Sequence, residues 1–273
     1  MDGRLGGVYR YSEQTHDIMI LEAPSGGPAY DDPAEIVDGI RIPTESELEV
    51  VHHVVAELGD THFIWIGPST GPVGLPYPSA LWVEPWLMSL VENPDGVRDG
   101  RLNRAEAVGK IAAYWKSKGL DGLCAGEDLG FNSGPFMSPQ RFRDLFVPGY
   151  QAQAAASHAA GLPMMFHSCG VLTPIWSDLA DTGFDAYQAI QPEESLPDLK
   201  ATIGDRMTLW GGVSCHNLVV NTPEQIRDET ARACEACMSG GGFILGSSHS
   251  IGVTATPENV RAMLDAGREF GTY

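Results

Sequence analysis

His167 and Cys169 stand two residues apart after the apolar run PMMF. An imidazole beside a thiol is a borderline-plus-soft donor pair suited to zinc. At a strand end, side chains at i and i+2 project from one face, so the two would point the same way, and Gly170 lets the chain turn off at once. Two ligands do not make a site. Further donors follow other apolar runs: Glu127 and Asp128 after LCAG, His249 after FILGSS, and Gln191 as a weaker oxygen past FDAYQAI. Adjacent acids at a turn point in different directions, so one of Glu127 and Asp128 is expected to reach a metal or substrate while the other anchors the loop. Taken alone, His-x-Cys is more often a packed histidine and a buried thiol, and a loop acid is as often merely solvated. The strand-end positions favour chemistry. Cys234 and Cys237 also form a C-x-x-C, but they fall within a helical stretch on one face and read as core packing.

The elements that must position these groups are short apolar runs alternating with segments of helical period, the pattern of βα units on a parallel sheet. HFIWIG from His62, LDGLCAG from Leu120, PMMFHS from Pro163, FDAYQAI from Phe184, MTLWGGV from Met207 and GFILGSS from Gly242 read as six strands. Ser138-Pro139, Thr173-Pro174, Thr222-Pro223 and Thr256-Pro257 each place an N-cap and a first-turn proline at the head of a helix. Thr44 and Glu47 have capping-box spacing before a helix with Val50, Val51, Val54, Val55 and Leu58 on one face and Gly59 as its stop, and Asn103 to Lys118 reads as another helix, stopped at Gly119. GPSTGPVGLPYPSA from Gly67 is too broken for regular structure and is long enough for a functional loop. Trp210 sits on a predicted strand before Gly211 and Gly212, where it could wall a pocket, although a core tryptophan is the commoner case.

A (β/α) barrel or an open doubly wound sheet accommodates six such units, and a closed barrel needs about eight strands and about 250 residues. IMILEAP from Ile18 offers one irregular strand. The chain is therefore expected to lack or replace the first one or two βα units and to leave a sheet edge that self-association or a partner covers. We read residues 1–273 as a single domain with an irregular N-terminal segment over 1–43.

With 273 residues, 43% of them hydrophobic, the chain can bury a substantial core. Its formal charge of −19 disfavours phosphate backbones and anionic lipid, so neither nucleic acid nor membrane is an expected partner. No apolar run approaches a membrane span and the N-terminus lacks the pattern of a secretory signal, which points to the cytoplasm. Five cysteines, an odd number in such a chain, argue against a disulfide framework and leave a thiol for ligation or nucleophilic work.

The runs GEDLGFNSGPFMSPQRFRDLFVPGY, MFHSCGVLTPIWSDLADTGFDAYQAIQP, LKATIGDRMTLWGGVS and GGFILGSSHSI with TPENV resemble the uroporphyrinogen decarboxylase-like superfamily from about Thr61 to Tyr273. The resemblance implies a (β/α)8 TIM-like barrel. That superfamily includes the tetrapyrrole decarboxylase and the corrinoid-linked methyltransferases, and in the zinc-dependent methyltransferase branch a His-x-Cys pair and a later Cys or His bind zinc. His167, Cys169 and His249 match those positions. The decarboxylase's Arg-rich N-terminal segment has no counterpart in residues 1–60, where Arg4, Arg10 and Arg41 are widely spaced, and Ser214-Cys215 stands where the family often has Asp after Gly-Gly-Val.

The expected function is a zinc-dependent methyltransferase moving a methyl group between a small-molecule donor or thiol acceptor and a corrinoid on a partner protein. His167, Cys169 and His249 would hold zinc, Asp128 and Glu127 would serve as catalytic acids, and Trp210 and Ser214 would contact substrate. The resemblance favours Asp128 as the acid facing the pocket, because the family keeps an Asp before Leu-Gly in this loop. The alternatives are a uroporphyrinogen-type decarboxylase and a ligand-binding barrel without turnover.

Overall fold

The computed structural model describes residues 8–12, 17–22, 35–37, 40–43, 45–67 and 83–273. Two antiparallel hairpins come first, β1 (Val8–Ser12) with β2 (Asp17–Glu22) and β3 (Glu35–Val37) with β4 (Ile40–Ile42). The described part of the IMILEAP run, residues 18–22, thus pairs with β1 and adds no strand to the parallel sheet. After α1 (Glu45–Leu58), the main sheet begins at β5 (Trp65–Ile66) and continues through β6 (Gly122–Gly126), β9 (Met164–His167), β10 (Ala186–Gln188), β11 (Thr208–Val213) and β12 (Phe243–Ser247). These six strands are parallel and lie side by side in chain order. They coincide with the six runs read from sequence. Among the described residues the sheet is not closed, and β5 and β12 are its edges.

Helices α2 (Val83–Glu92), α3 (Pro94–Ser117), α4 (Pro139–Leu145), α5 (Val147–Ala159), α6 (Trp176–Ala180), α7 (Leu196–Ile203), α8 (Asn217–Val220), α9 (Pro223–Cys237) and α10 (Pro257–Phe270) fill the connections, and β7 (Gly130–Phe131) and β8 (Gly134–Pro135) form a small hairpin after β6. Side-chain caps start α4 at Ser138, α9 at Thr222 with a full capping box, and α10 at Thr256. Each such cap contributes about 1 kcal/mol. Thr173-Pro174 departs from this grammar: Thr173 opens a short 3-10 turn without a side-chain cap, and α6 follows it. The helix expected from Asn103 begins earlier, capped by Asn93 with Pro94 in its first turn. Gly96 and Gly100, poor helix formers, hide that first stretch from periodicity. Val50, expected on the apolar face of α1, is 72% exposed, and Leu48 is the residue buried there. Thr44 and the loop past Gly67 lie outside the described residues.

The period-2 alternation of the strands sorts their side chains into two layers. Leu123, Ala125, Met164, Phe166, Tyr187, Leu209 and Phe243 pack against the helices in the main core, with Trp115, Phe142, Tyr150 and Leu199 opposite them. Burying each of these larger side chains stabilises the fold by roughly 1.5–3 kcal/mol. Cys124, Met165 and Ala186 point the other way and form a separate apolar cluster with Trp65 and Trp210. Cys234 and Cys237 on α9 are buried in the main core, as expected of packing residues. No helix among the described residues is long and apolar enough to cross a membrane.

Candidate metal centre at the strand ends

Strand β9 puts Met165 on the concave face, so His167 two residues on stands on the same face at the carboxyl end of the strand. In register, His167 pairs with Gly126 of β6 on one side and with Gln188 of β10 on the other. The strand ends at His167, so pleating alone does not place Cys169. Hydrogen bonds do: the Ser168 N–H donates to Gln188 O at 2.7 Å, and the Cys169 N–H donates to Asp128 Oδ1 at 2.9 Å. Gly170 then takes a left-handed φ of +93°, and a Cβ there would lie 2.2 Å from Gly130 O, so only glycine fits against the β6 loop. The Val171 N–H closes the contact on Phe131 O at 2.9 Å.

His249 enters from the loop after β12. Ser248 just before it donates its N–H to Val213 O at 2.7 Å, and its Oγ accepts the Cys215 N–H at 3.1 Å. One ligand atom from each of His167, Cys169 and His249 lies within 4.8 Å of the other two. Cys169 Sγ is 3.7 Å from His167 Nε2, close to the separation of about 3.5 Å that a thiolate and an imidazole take on one tetrahedral zinc. The imidazoles of His167 and His249 meet edge to face with ring centres 6.0 Å apart. Burial pushes the His167 pKa down, despite the opposing hydrogen bond from Gln188 and the charge of Asp128. Burial first, and then Asp128, push the Cys169 thiol up to about 12. The metal-free centre therefore presents a neutral imidazole and a protonated thiol, and a cation would favour loss of the thiol proton.

The two adjacent acids part company. Asp128 turns toward the centre, with Oδ1 3.9 Å from His167 Nε2. Glu127 is buried on the helical side, where Oε1 accepts from Trp86 Nε1 at 3.0 Å and pairs with Arg101, and Oε2 accepts from Tyr150 OH at 2.6 Å. The Arg101 guanidinium lies 3.9 Å from the centroid of the Phe146 ring. Burial, together with Glu127, keeps Tyr150 protonated as a donor. Trp210 is half-buried among the concave apolar cluster.

Ser214 lines a cavity of about 440 Å³ with α9 residues, its N–H donating to Glu229 Oε1 at 2.7 Å. Gln191 borders the same cavity and gives its amide N–H to Ala189 O at 3.0 Å. The structure thus gathers His167, Cys169, His249 and Asp128, and holds Glu127, Ser214 and Gln191 in other surroundings.

Sequence reading passed over two further groups. Gln188 places its side-chain amide, through Oε1, in hydrogen-bond contact with His167 Nδ1. Glu194 gathers the N–H groups of Leu172 at 2.9 Å and Gln191 at 3.2 Å, Trp176 Nε1 at 2.8 Å and Tyr187 OH at 3.2 Å, tying the loop after Cys169 to β10. Gln188 was within reach of sequence, since it lies near the end of one predicted strand as His167 lies near the end of the strand before it. The donors that converge on Glu194 come from separate segments and leave no local pattern.

The sequence profile of the uroporphyrinogen decarboxylase (URO-D) family matches residues 22–270. The chain belongs to the URO-D family. A methylcobamide:CoM methyltransferase MtaA of Methanosarcina barkeri strain Fusaro is 27% identical over 239 residues, covering 87% of this chain and 67% of that protein. A uroporphyrinogen decarboxylase of Chromohalobacter salexigens is 33% identical over 92 residues, 34% of this chain and 26% of that one. Among solved structures, a methyltransferase from Methanosarcina mazei superposes with a TM-score of 0.70 over 98% of this chain and 77% of its own, at 22% identity. At that identity the likeness speaks for the fold, and the sequential parallel sheet of this URO-D family member is that of a (β/α) barrel left unclosed among the described residues.

Proposed function

We propose that this chain is a zinc-dependent methyltransferase that moves a methyl group between a small-molecule substrate or thiol and a corrinoid carried by a partner protein. The observation that carries the reading is the convergence of His167, Cys169 and His249 at the carboxyl ends of the strands, with one ligand atom of each within 4.8 Å of the others. The likeness to MtaA, a methylcobamide:CoM methyltransferase, supplies the reaction class. The donor set of one sulfur and two imidazole nitrogens fits zinc, and three protein ligands are the number that a catalytic zinc site takes. Zinc bound there supplies Lewis acidity that lowers the pKa of a thiol acceptor or improves the leaving group of a methyl donor.

The chain's own residues do the rest. His167 presents Nε2 toward Cys169, and Cys169 would bind a metal as the thiolate, its proton released to solvent. Asp128, held by the Cys169 N–H, is placed to take the proton of an incoming thiol. Met165, Trp65 and Trp210 form an apolar floor that limits water beneath the centre. The same reading takes residues 1–273 as one barrel domain acting in the cytoplasm, its open sheet edge covered by a second copy or a partner.

Metal analysis and a transfer assay with methylcobalamin and coenzyme M as the thiol test the proposal. About one zinc per chain is expected, together with demethylation that a chelator abolishes. A zinc-loaded protein that leaves methylcobalamin intact with thiol acceptors and small-molecule donors would sink the transfer reaction. A protein that takes up no zinc would sink the metal centre.

A further inference from the structure

We infer that Gln188 is a positioning residue that holds the proton of His167 on Nδ1 and so sets Nε2 as the ring atom offered to a metal. The last link of this inference rests on the proposed zinc centre, whereas the assignment of the proton does not.

The geometry begins in the ladder. β9 and β10 are parallel neighbours, and Gln188 stands directly opposite His167 in their register. Residues paired in this way carry their side chains on the same face of the sheet, so both point to the concave side. Both backbones are pinned. The Glu127 N–H donates to His167 O at 3.0 Å, and the Ser168 N–H donates to Gln188 O at 2.7 Å. Tyr187, the residue before Gln188, is fully buried and hydrogen-bonded to Glu194. On the opposite flank of His167 the register partner is Gly126, which offers no side chain, so lateral support at this level comes from β10.

The ring of His167 has two unlike edges. Nδ1 meets Gln188 Oε1 in a hydrogen bond. Nε2 looks the other way, 3.7 Å from Cys169 Sγ and 3.9 Å from Asp128 Oδ1. A neutral imidazole carries one N–H and one lone pair. With the proton on Nδ1, the ring donates to the amide oxygen and turns its lone pair toward Cys169 and His249. With the amide reversed, its NH2 group donates to Nδ1, and the ring proton sits on Nε2, in the place a metal would take. The amide orientation of Gln188 and the tautomer of His167 are therefore one coupled state.

The choice of an amide also has a consequence. A metal-bound histidine commonly gives its other N–H to a carboxylate or a carbonyl oxygen, and a carboxylate makes the ring a stronger donor. Gln188 fixes the tautomer without that added charge, which leaves a bound metal the stronger Lewis acid.

Two-bond 1H–15N correlation spectra of the metal-free protein read the tautomer directly, with the His167 signals identified by their loss in His167→Asn. The wild type is expected to show Nδ1–H. In Gln188→Leu the proton should leave Nδ1 for at least part of the population, and zinc affinity, measured by competition with a chromophoric chelator, should fall ~10–100-fold. Gln188→Glu, which keeps an acceptor oxygen, should hold Nδ1–H and bind zinc at least as tightly as the wild type. An Nε2–H wild-type ring overturns the inference, and so does a Gln188→Leu protein that keeps both the tautomer and the zinc affinity of the wild type. A wild type that shows Nδ1–H and binds no zinc removes the metal centre and leaves the tautomer assignment standing.

Discussion

The concave mouth at His167 and the cavity beside Ser214 lie near the same strand ends, and their polar groups point in opposite ways. In the cavity, Glu229 accepts from Ser214 N–H at 2.7 Å and from Asn217 Nδ2 at 2.8 Å, while Glu194 takes four donors from the chain around it. Those carboxylates satisfy buried N–H and O–H groups of the protein itself. At the mouth, Cys169 Sγ and the imidazoles of His167 and His249 face one another across a few ångströms. In the cavity, of about 440 Å³, Glu229 and Glu194 are thus committed to the fold. Donors that converge on one another distinguish the mouth from the cavity. Glu127 and Asp128 repeat the lesson within one dipeptide, the first committed to Arg101, Tyr150 and Trp86 and the second turned toward the centre.

Replacing Cys169 by Ala is expected to have the largest effect, removing stoichiometric zinc while circular dichroism and the thermal transition stay near those of the metal-free wild type. Full zinc occupancy in that variant would make the mouth no different from the cavity. Glu194→Ala tests the other region: it leaves four donors, three of them buried, without their acceptor and should cost ~3 kcal/mol or more in urea unfolding, with zinc stoichiometry retained in the folded fraction. Unchanged stability would show that the carboxylate is not the tie that the hydrogen bonds describe.

Asp128→Asn should lower methyl transfer ~100-fold, the scale for losing a positioned acid or base. Transfer at the wild-type rate would remove Asp128 from the mechanism and leave it as a hydrogen-bonding anchor for Cys169. Acid provides a subtler test in the metal-free protein. Burial holds the folded pKa of His167 below the usual 6.5. Its contribution to stability is therefore present above about pH 6.5 and lost as pH falls through the lowered folded value. The wild type should lose more stability than His167→Asn across that window, and parallel pH profiles would contradict the burial account.

Ser214→Ala should do least. Its Oγ accepts the Asn217 N–H at 3.3 Å, so about 1 kcal/mol or less of stability is at stake, with less than a twofold change in transfer expected if the cavity is structural. A large rise in KM for the methyl donor or thiol would instead place Ser214 at the substrate and join the two regions into one site.

Much of the scaffold was legible in the residue pattern. Short apolar runs such as FDAYQAI and MTLWGGV, set between segments of helical period, locate strands because a strand of a covered parallel sheet is buried over a few residues only. Thr222 with Pro223 and Thr256 with Pro257 locate helix starts because capping is a contact within four residues. The donor types at His167, Cys169 and His249, and their positions at strand ends, were likewise local facts. Thr173 shows the limit of local grammar, since the same Thr-Pro device there heads a 3-10 turn.

The sequence by itself determined which segments become strands and helices and which chemical groups stand at the strand ends. Only the tertiary structure decided how those groups meet: that Gln188 faces His167 from 21 residues away, that Glu127 pairs with Arg101 at a distance of 26, and that Asp128 reaches the Cys169 N–H across 41. Periodicity and capping are set within a few residues of chain. These pairings depend on strand register and on the packing of helices against the sheet, which side chains from the whole chain fix together.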